Sequence, residues 1–224
     1  MFYDGWQTDR DEYERTPLML WIEYRKGQDI PKELFYDGWE TDKDVYGYTP
    51  LMIWINYRKG ENIPKELLYD GYKTDRNNCG ETPLMMWIIW RKGEAGDHRS
   101  PQSHRRCEAI PDCLLYNGYQ TDRADLGKTP LMFWVYYRQG EAIPNCLYYP
   151  NYQTDRDDRD DTPLMLWIEH RGGEAIPDEL LYEGYRTYRN EYGNTPLMWW
   201  IEWRQGEAIP DCLYYRNYQT KRNE

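Results

Sequence analysis

Thr16-Pro17-Leu18-Met19-Leu20-Trp21-Ile22-Glu23-Tyr24-Arg25-Lys26-Gly27 is the stretch on which the fold turns. Its opening tetrapeptide, Thr-Pro-Leu-Met, returns complete at Thr49, Thr82, Thr129, Thr162 and Thr195. The intervals are 33, 33, 47, 33 and 33 residues, and the long one is 33 plus 14. Excising Ala95 to Glu108 restores the phrase Gly-Glu-Ala-Ile-Pro seen at Gly140 to Pro144, so a single insertion, 95–108, interrupts a strict period. A unit of this size cannot enclose a core alone and must stack on its neighbours.

Within each unit the local chemistry reads as helix starts and stops. Thr16 can cap a helix N-terminus with its hydroxyl, and Pro17 fits the first turn, where a missing N–H costs nothing. Leu18, Trp21 and Ile22 share one face, with Arg25 continuing the stripe and Gly27 supplying a left-handed stop. That predicts a first helix of about three turns. Pro31 begins a second, shorter helix through Leu34, closed at Gly38. The positions matching Gly38 are Gly5, Gly71, Gly118, Asn151, Gly184 and Asn217, the two residue types that best tolerate positive φ. Trp39 to Tyr48 reads as a polar, hairpin-like connection. The expected fold is an all-α repeat solenoid spanning 1–224 as one domain. Its six helix pairs begin at 16, 49, 82, 129, 162 and 195, with a partial unit in 1–15.

The six-fold phrase resembles the ankyrin repeat, whose units are also 33 residues long and open their first helix with Thr-Pro-Leu-His. Here Met stands in the fourth place of all six. The Asp-x-x-Gly of the family's hairpin is matched by Asp44 with Gly47, while Asn77 with Gly80, Ala124 with Gly127 and Asn190 with Gly193 keep only the glycine. The family's two-Ala step becomes Trp-Ile, or Trp134-Val135 in the fourth unit. The chain is thus similar to a divergent, Trp- and Tyr-rich ankyrin branch. The resemblance implies a curved stack of helix-turn-helix units joined by hairpins, with a concave face that recognises another protein.

Composition narrows the function. The net charge of −11 speaks against a nucleic-acid partner, since phosphate backbones are bound through Lys and Arg. The apolar run from Pro83 to Trp90 is too short to span a membrane. The polar, acidic start lacks the features of a secretory signal, which points to a cytoplasmic protein. Cys79, Cys107, Cys113, Cys146 and Cys212 form no CxxC pair and read as reduced thiols. The insertion holds His98, His104, Arg105, Arg106 and Cys107, but no recognised zinc spacing, and reads as a surface loop. No nucleophile with its base, phosphate-cradling loop or carboxylate pair stands out, so the expectation is a non-enzyme with no metal and no cofactor.

A repeat holds constant what folding needs, so the conserved columns read as structure. Trp21, Trp54, Trp87, Trp134, Trp167 and Trp200 belong to the core. Arg25, Arg58, Arg91, Arg138, Arg171 and Arg204 read as an internal ladder that stacks on aromatic faces and pairs with carboxylates such as Asp42. Positions that change between repeats are the candidate partner-binding residues. On the first helix these are Glu23, Asn56, Ile89, Tyr136, Glu169 and Glu202, followed by Tyr24, Tyr57, Trp90, Tyr137, His170 and Trp203; on the hairpins they include Tyr13, Tyr46, Tyr48, Asp125, Leu126, Arg159, Asp161 and Tyr192. Tyr and Trp give large contact area at low entropic cost. The sequence therefore suggests a monomeric scaffold for another protein, its binding energy centred on Ile89, Trp90, Tyr136 and Tyr137. The alternative is a structural module whose exposed aromatics mediate self-association.

Overall fold

The computed structural model describes residues 4–91 and 109–214; the insertion, Cys107 and Asn217 lie outside the described residues. Among the described residues all regular structure is helical. Six α-helices of eight residues each cover α1 (Pro17–Tyr24), α2 (Pro50–Tyr57), α3 (Pro83–Trp90), α4 (Pro130–Tyr137), α5 (Pro163–His170) and α6 (Pro196–Trp203). Each begins as its sequence dictates. The threonine Oγ1 accepts the N–H of the methionine three residues on, at 3.2 to 3.4 Å, with proline in the first turn.

Two expectations about length need correction. The first helix has two turns, not three, and leaves helical geometry at Arg25, with φ −104° and ψ 48°. The reason lies in the next repeat. The carbonyl of Ile22, which a longer helix would use for its own ladder, accepts from Arg58 Nε at 2.6 Å. The second helix is only a single 3-10 turn, Lys32–Leu34, followed by another at Trp39–Thr41 where the sequence suggested a plain polar turn. The six residues between Pro31 and Gly38 are too few to gain much from helix nucleation. Tertiary contacts hold the two tight turns instead: Leu34 and Trp39 are buried, and the Tyr36 hydroxyl donates to the Asp42 carboxylate. Each of the first five repeats is therefore one α-helix followed by short 3-10 turns, and the sixth shows its helix and first turn among the described residues. The left-handed positions are where the sequence placed them, with φ near 90° at Gly5, Gly38, Gly71, Gly118 and Gly184 and 69° at Asn151.

The chain folds as two compact units, Met1–Tyr119 with Arg123–Asp125, and Gln120–Asp122 with Leu126–Glu224. In the first, α1, α2 and α3 pack in chain order; in the second, α4, α5 and α6 do the same. Leu and Met of the repeated phrase are buried from Leu18 and Met19 through Leu164 and Met165, and Trp54, Trp87, Trp134, Trp167 and Trp200 are buried beside them. Successive hairpins are joined by one backbone bond per step. Val45 N–H donates to the Tyr13 carbonyl and Asn78 to Tyr46 in the first unit, and Asp158 donates to Leu126 and Glu191 to Arg159 in the second.

Candidate interaction surface

The arginine ladder sets the spacing on which every surface position rests. Arg58, Arg91, Arg138, Arg171 and Arg204 are buried, each with its guanidinium 4.4 to 4.7 Å from the ring of the tryptophan four residues before it. Arg91 Nε donates to the Ile55 carbonyl at 2.8 Å, Arg171 Nε to Val135 at 2.9 Å and Arg204 Nε to Ile168 at 2.6 Å. Arg58, Arg91, Arg171 and Arg204 thus close the C-terminus of the preceding repeat's helix, where carbonyls have no partner within the helix and the dipole favours a cation. Arg58, Arg138, Arg171 and Arg204 pair with the glutamate three residues on, at 2.9 Å for Glu61 and 3.0 Å for Glu207. Asp42, the partner suggested by the sequence, binds Arg10 at 2.8 Å instead, because Arg58 is already enclosed.

In the first unit the variable positions gather where helix and hairpin meet. Tyr13, Arg15, Asp44, Tyr46, Tyr48, Ile53 and Tyr57 line a groove of about 240 Å³. Its hairpin wall is shaped by Asp44, whose Oδ1 accepts the backbone N–H of Tyr46 at 2.9 Å and of Tyr48 at 2.8 Å. Asn77 does the same for Cys79 and Glu81, and Asn190 for Tyr192 and Asn194, so asparagine replaces the expected aspartate without loss of the acceptor. Arg15 bonds Asp11 and Glu23 and lies 5.0 Å over the Tyr13 ring. Tyr48 has its phenol pushed up to about 12, first by burial and then by the charges of Glu81, Cys79 and Asp44. Tyr57 is raised as well, by burial and by Glu23.

The column ending each helix is half-buried wherever a repeat has neighbours: Tyr57, Trp90, Tyr137 and His170 are all intermediate. Tyr24 and Trp203, at the ends, are 66% and 47% exposed. The interior rings are therefore less open to solvent than those of α1 and α6. Trp90 Nε1–H is buried and has no acceptor among the described residues. Ile89 differs from its column: at 7% exposure it belongs to the packed interior and cannot offer surface to a partner. Its alkyl side chain, unlike Asn56 or Glu23, gains by leaving water.

In the second unit the same positions form an aromatic row with a charged floor. Tyr136 stands 4.6 Å from Tyr137 and 4.2 Å from the His170 ring, and Tyr137 stacks on Phe133 at 5.8 Å. Lys128 is buried, pairs with Asp157 at 3.6 Å and sits 6.0 Å from the Tyr136 ring. Burial, with Lys128 and Arg159 adding to it, drives His170 down to about 4, so the imidazole is neutral at pH 7 and its 3.6 Å approach to Glu169 is not a pair of full charges. Burial raises Glu169 and Asp161. Glu202 is exposed beside Trp203, and Trp199 stacks on Tyr192 at 6.5 Å.

Sequence reasoning marked only part of a polar column, the residue just before each capping threonine: Arg15, Tyr48, Glu81, Lys128, Asp161 and Asn194. Tyr48 and Asp161 were among the variable hairpin positions, and the other four were missed. The available signal was that all six differ. Cys79, Cys113 and Cys212 are free thiols. Among the described residues there is no group of three or more His, Cys, Asp and Glu placed to hold a metal ion, and no helix long and apolar enough to cross a membrane. No protein-family model matches the chain, and no curated protein compared with it matches.

Proposed function

We propose that this chain is a non-enzymatic scaffold of divergent ankyrin-like repeats that binds another protein inside the cell through its variable aromatic rows, on the face that would be concave in an ankyrin stack. The observation that carries the reading is the split between columns. The Thr-Pro-Leu-Met, Trp and Arg columns, buried by stacking in the interior repeats, are repeated without change, whereas the two columns that follow Ile22 on the helix, mostly half-exposed, vary between repeats and hold Tyr or Trp in most of them. Folding alone would not demand that variation, and half-buried rings held by neighbours give contact area at little further cost in entropy.

The anchors expected in the first unit are Tyr46, Tyr48, Tyr57 and Trp90, with Asn56 and Glu23 between them, and in the second Tyr136, Tyr137 and His170, with Glu169. Photo-crosslinking residues placed at Tyr46 and at Tyr136 should capture the same protein from native cells, and one placed at exposed Lys59 should not. Changing Trp90 and Tyr137 to Ala should reduce capture more than tenfold per folded molecule, as loss of about 2 kcal/mol at each anchor implies. Equal capture from Lys59, or a fall in thermal midpoint with capture per folded molecule unchanged, would remove the surface from consideration.

A further inference from the structure

Helices α1 and α6 present the two halves of an interface that the molecule builds between its own repeats. In α2, Pro50, Ile53, Trp54 and Arg58 are buried; their counterparts in α1, Pro17, Leu20 and Trp21, are half-exposed and Arg25 is exposed. In α5, Leu164, Met165 and Ile168 are buried, whereas in α6 Leu197 is half-exposed, Met198 is 46% exposed and Ile201 is 59% exposed. The α1 end therefore shows the Pro, aliphatic, Trp and Arg face, and the α6 end shows the Leu, Met and Ile face. Within each unit these are the sides on which successive repeats mate.

The polar groups are complementary in the same way. Within each unit the ladder arginines Arg58, Arg91, Arg171 and Arg204 donate Nε to the carbonyl of the sixth residue of the preceding repeat's helix, at Ile22, Ile55, Val135 and Ile168. Continued by one step, that acceptor is Ile201, and the donor without a preceding helix is Arg25. Arg25 makes no hydrogen bond or ion pair through its side chain among the described residues; it only lies 5.5 Å over Trp21. The hairpin bonds run from Val45 to Tyr13 and from Glu191 to Arg159, so their continuation leaves Glu12 N–H at one end and the Tyr192 carbonyl at the other. Beside α6, a cavity of about 490 Å³ opens against Leu197, Leu213 and Tyr214, with Arg186 and Arg189 at its rim. The uncovered sides of α1 and α6 both carry apolar side chains.

We propose that the chain associates head to tail with a second copy of itself, the repeat of α1 in one molecule seating on the repeat of α6 in the other. Arg25 enters the place of a ladder arginine, with Ile201 and Trp200 supplying the carbonyls and Met198 and Ile201 covering Leu20 and Trp21. This surface is separate from the aromatic rows. The contact is heterologous, pairing two different faces, so each added copy leaves one of either kind for the next as concentration rises. One component of the internal step is missing. The repeated phrase Arg-x-Gly-Glu reads Arg25-Lys26-Gly27-Gln28 in the first repeat, so the junction lacks the carboxylate that Glu61 supplies to Arg58. It is therefore weaker than the internal steps, and Gln28→Glu should strengthen it.

Sedimentation velocity on the full chain from micromolar to millimolar tests this. The wild type should pass through dimers to longer species. Arg25→Glu and Ile201→Glu, both at exposed positions and so expected to keep the thermal midpoint, should each remain monomeric alone, association being weakened by more than about tenfold. An equimolar mixture of the two should form dimers and nothing longer, because each molecule keeps one intact and opposite end. Gln28→Glu should shift assembly to lower concentration, an arm that does not depend on any disruptive variant folding. A wild type that stays monomeric at millimolar concentration, or a single variant that assembles like the wild type, would overturn the proposal.

Discussion

Repeats one and two carry almost the same phrase, yet their arginines live in different solvents. Arg58 is wholly buried, bonded to Ile22, Trp21 and Gln28 carbonyls and to Glu61, while Arg25 stands exposed against a single tryptophan face. The same contrast separates α5 from α6, whose Met165 and Met198 occupy equivalent places, one buried and one half open. What a residue does in this molecule is set by whether a repeat adjoins it. Its own repeat is nearly constant, so comparing an interior position with its end counterpart isolates the stacking contribution.

The arginines give the largest expected difference. Arg58→Ala removes the donor from the buried Ile22 carbonyl, takes the cation from half-exposed Glu61 and empties the place of a wholly buried side chain; leaving the carbonyl unsatisfied alone costs about 1–3 kcal/mol, and the cavity adds to it. Arg25→Ala loses one exposed cation–π contact, worth about 0.5–1 kcal/mol. Chemical denaturation of the two variants should separate them by several-fold in cost. Equal losses would mean that the ladder contributes through helix propensity within the repeat and not through the neighbour it closes.

Glycines at the hairpin tips offer the next contrast. Gly47 has φ 78°, and a Cβ there would stand 2.8 Å from the backbone nitrogen of Asn78, where the following hairpin crosses; Gly193, at φ 77°, has nothing within 4 Å. Both substitutions to Ala incur the left-handed penalty of about 1 kcal/mol, and only Gly47→Ala must also displace a neighbouring backbone. Gly47→Ala should cost about 2–3 kcal/mol in all, against about 1 for Gly193→Ala. If the two matched in a denaturant titration, the stacking of hairpins would contribute nothing to stability.

The legibility of this fold follows the same division. Thr16 with Pro17, and the left-handed Gly38 and Asn151, were readable because capping and positive φ are settled within a few residues. The short second turn was not, because Tyr36 and Asp42 replace a helix through a contact that no periodicity announces. For the arginine ladder the role was legible and the partner was not: helix carbonyls carry no side-chain signature, although Arg-x-Gly-Glu, broken only at Gln28, pointed to Glu61 over Asp42. The candidate surface divides likewise. Variation marked Tyr46, Tyr57 and Tyr136, but Ile89 varies for a packing reason, and Lys128 escaped because one buried lysine beneath a tyrosine row has no sequence motif.

The smallest expected effect concerns His170, an interior member of a column whose end members, Tyr24 and Trp203, are exposed. Burial and then the nearby charges of Lys128 and Arg159 lower its pKa from 6.5 to about 4. A base with a depressed folded pKa binds its proton in the unfolded chain first, so the contribution is fully present above pH 6.5 and is lost as pH falls toward 4. Solvent at the half-buried ring screens the effect, leaving about 1 kcal/mol. Asp161 and Glu169, raised by burial, act with the opposite sign by taking up protons in the folded state, so the wild-type curve alone is not diagnostic. The informative quantity is the difference in unfolding free energy between wild type and His170→Tyr, the residue found at Tyr57 and Tyr137. That difference should be flat above pH 6.5 and turn against the wild type below it. Tyr24→His, placing the same imidazole in an exposed end repeat, should show no such slope. A slope equal to that of His170 would mean that the ring titrates without regard to its neighbours, and the distinction between interior and end positions would fail at this column.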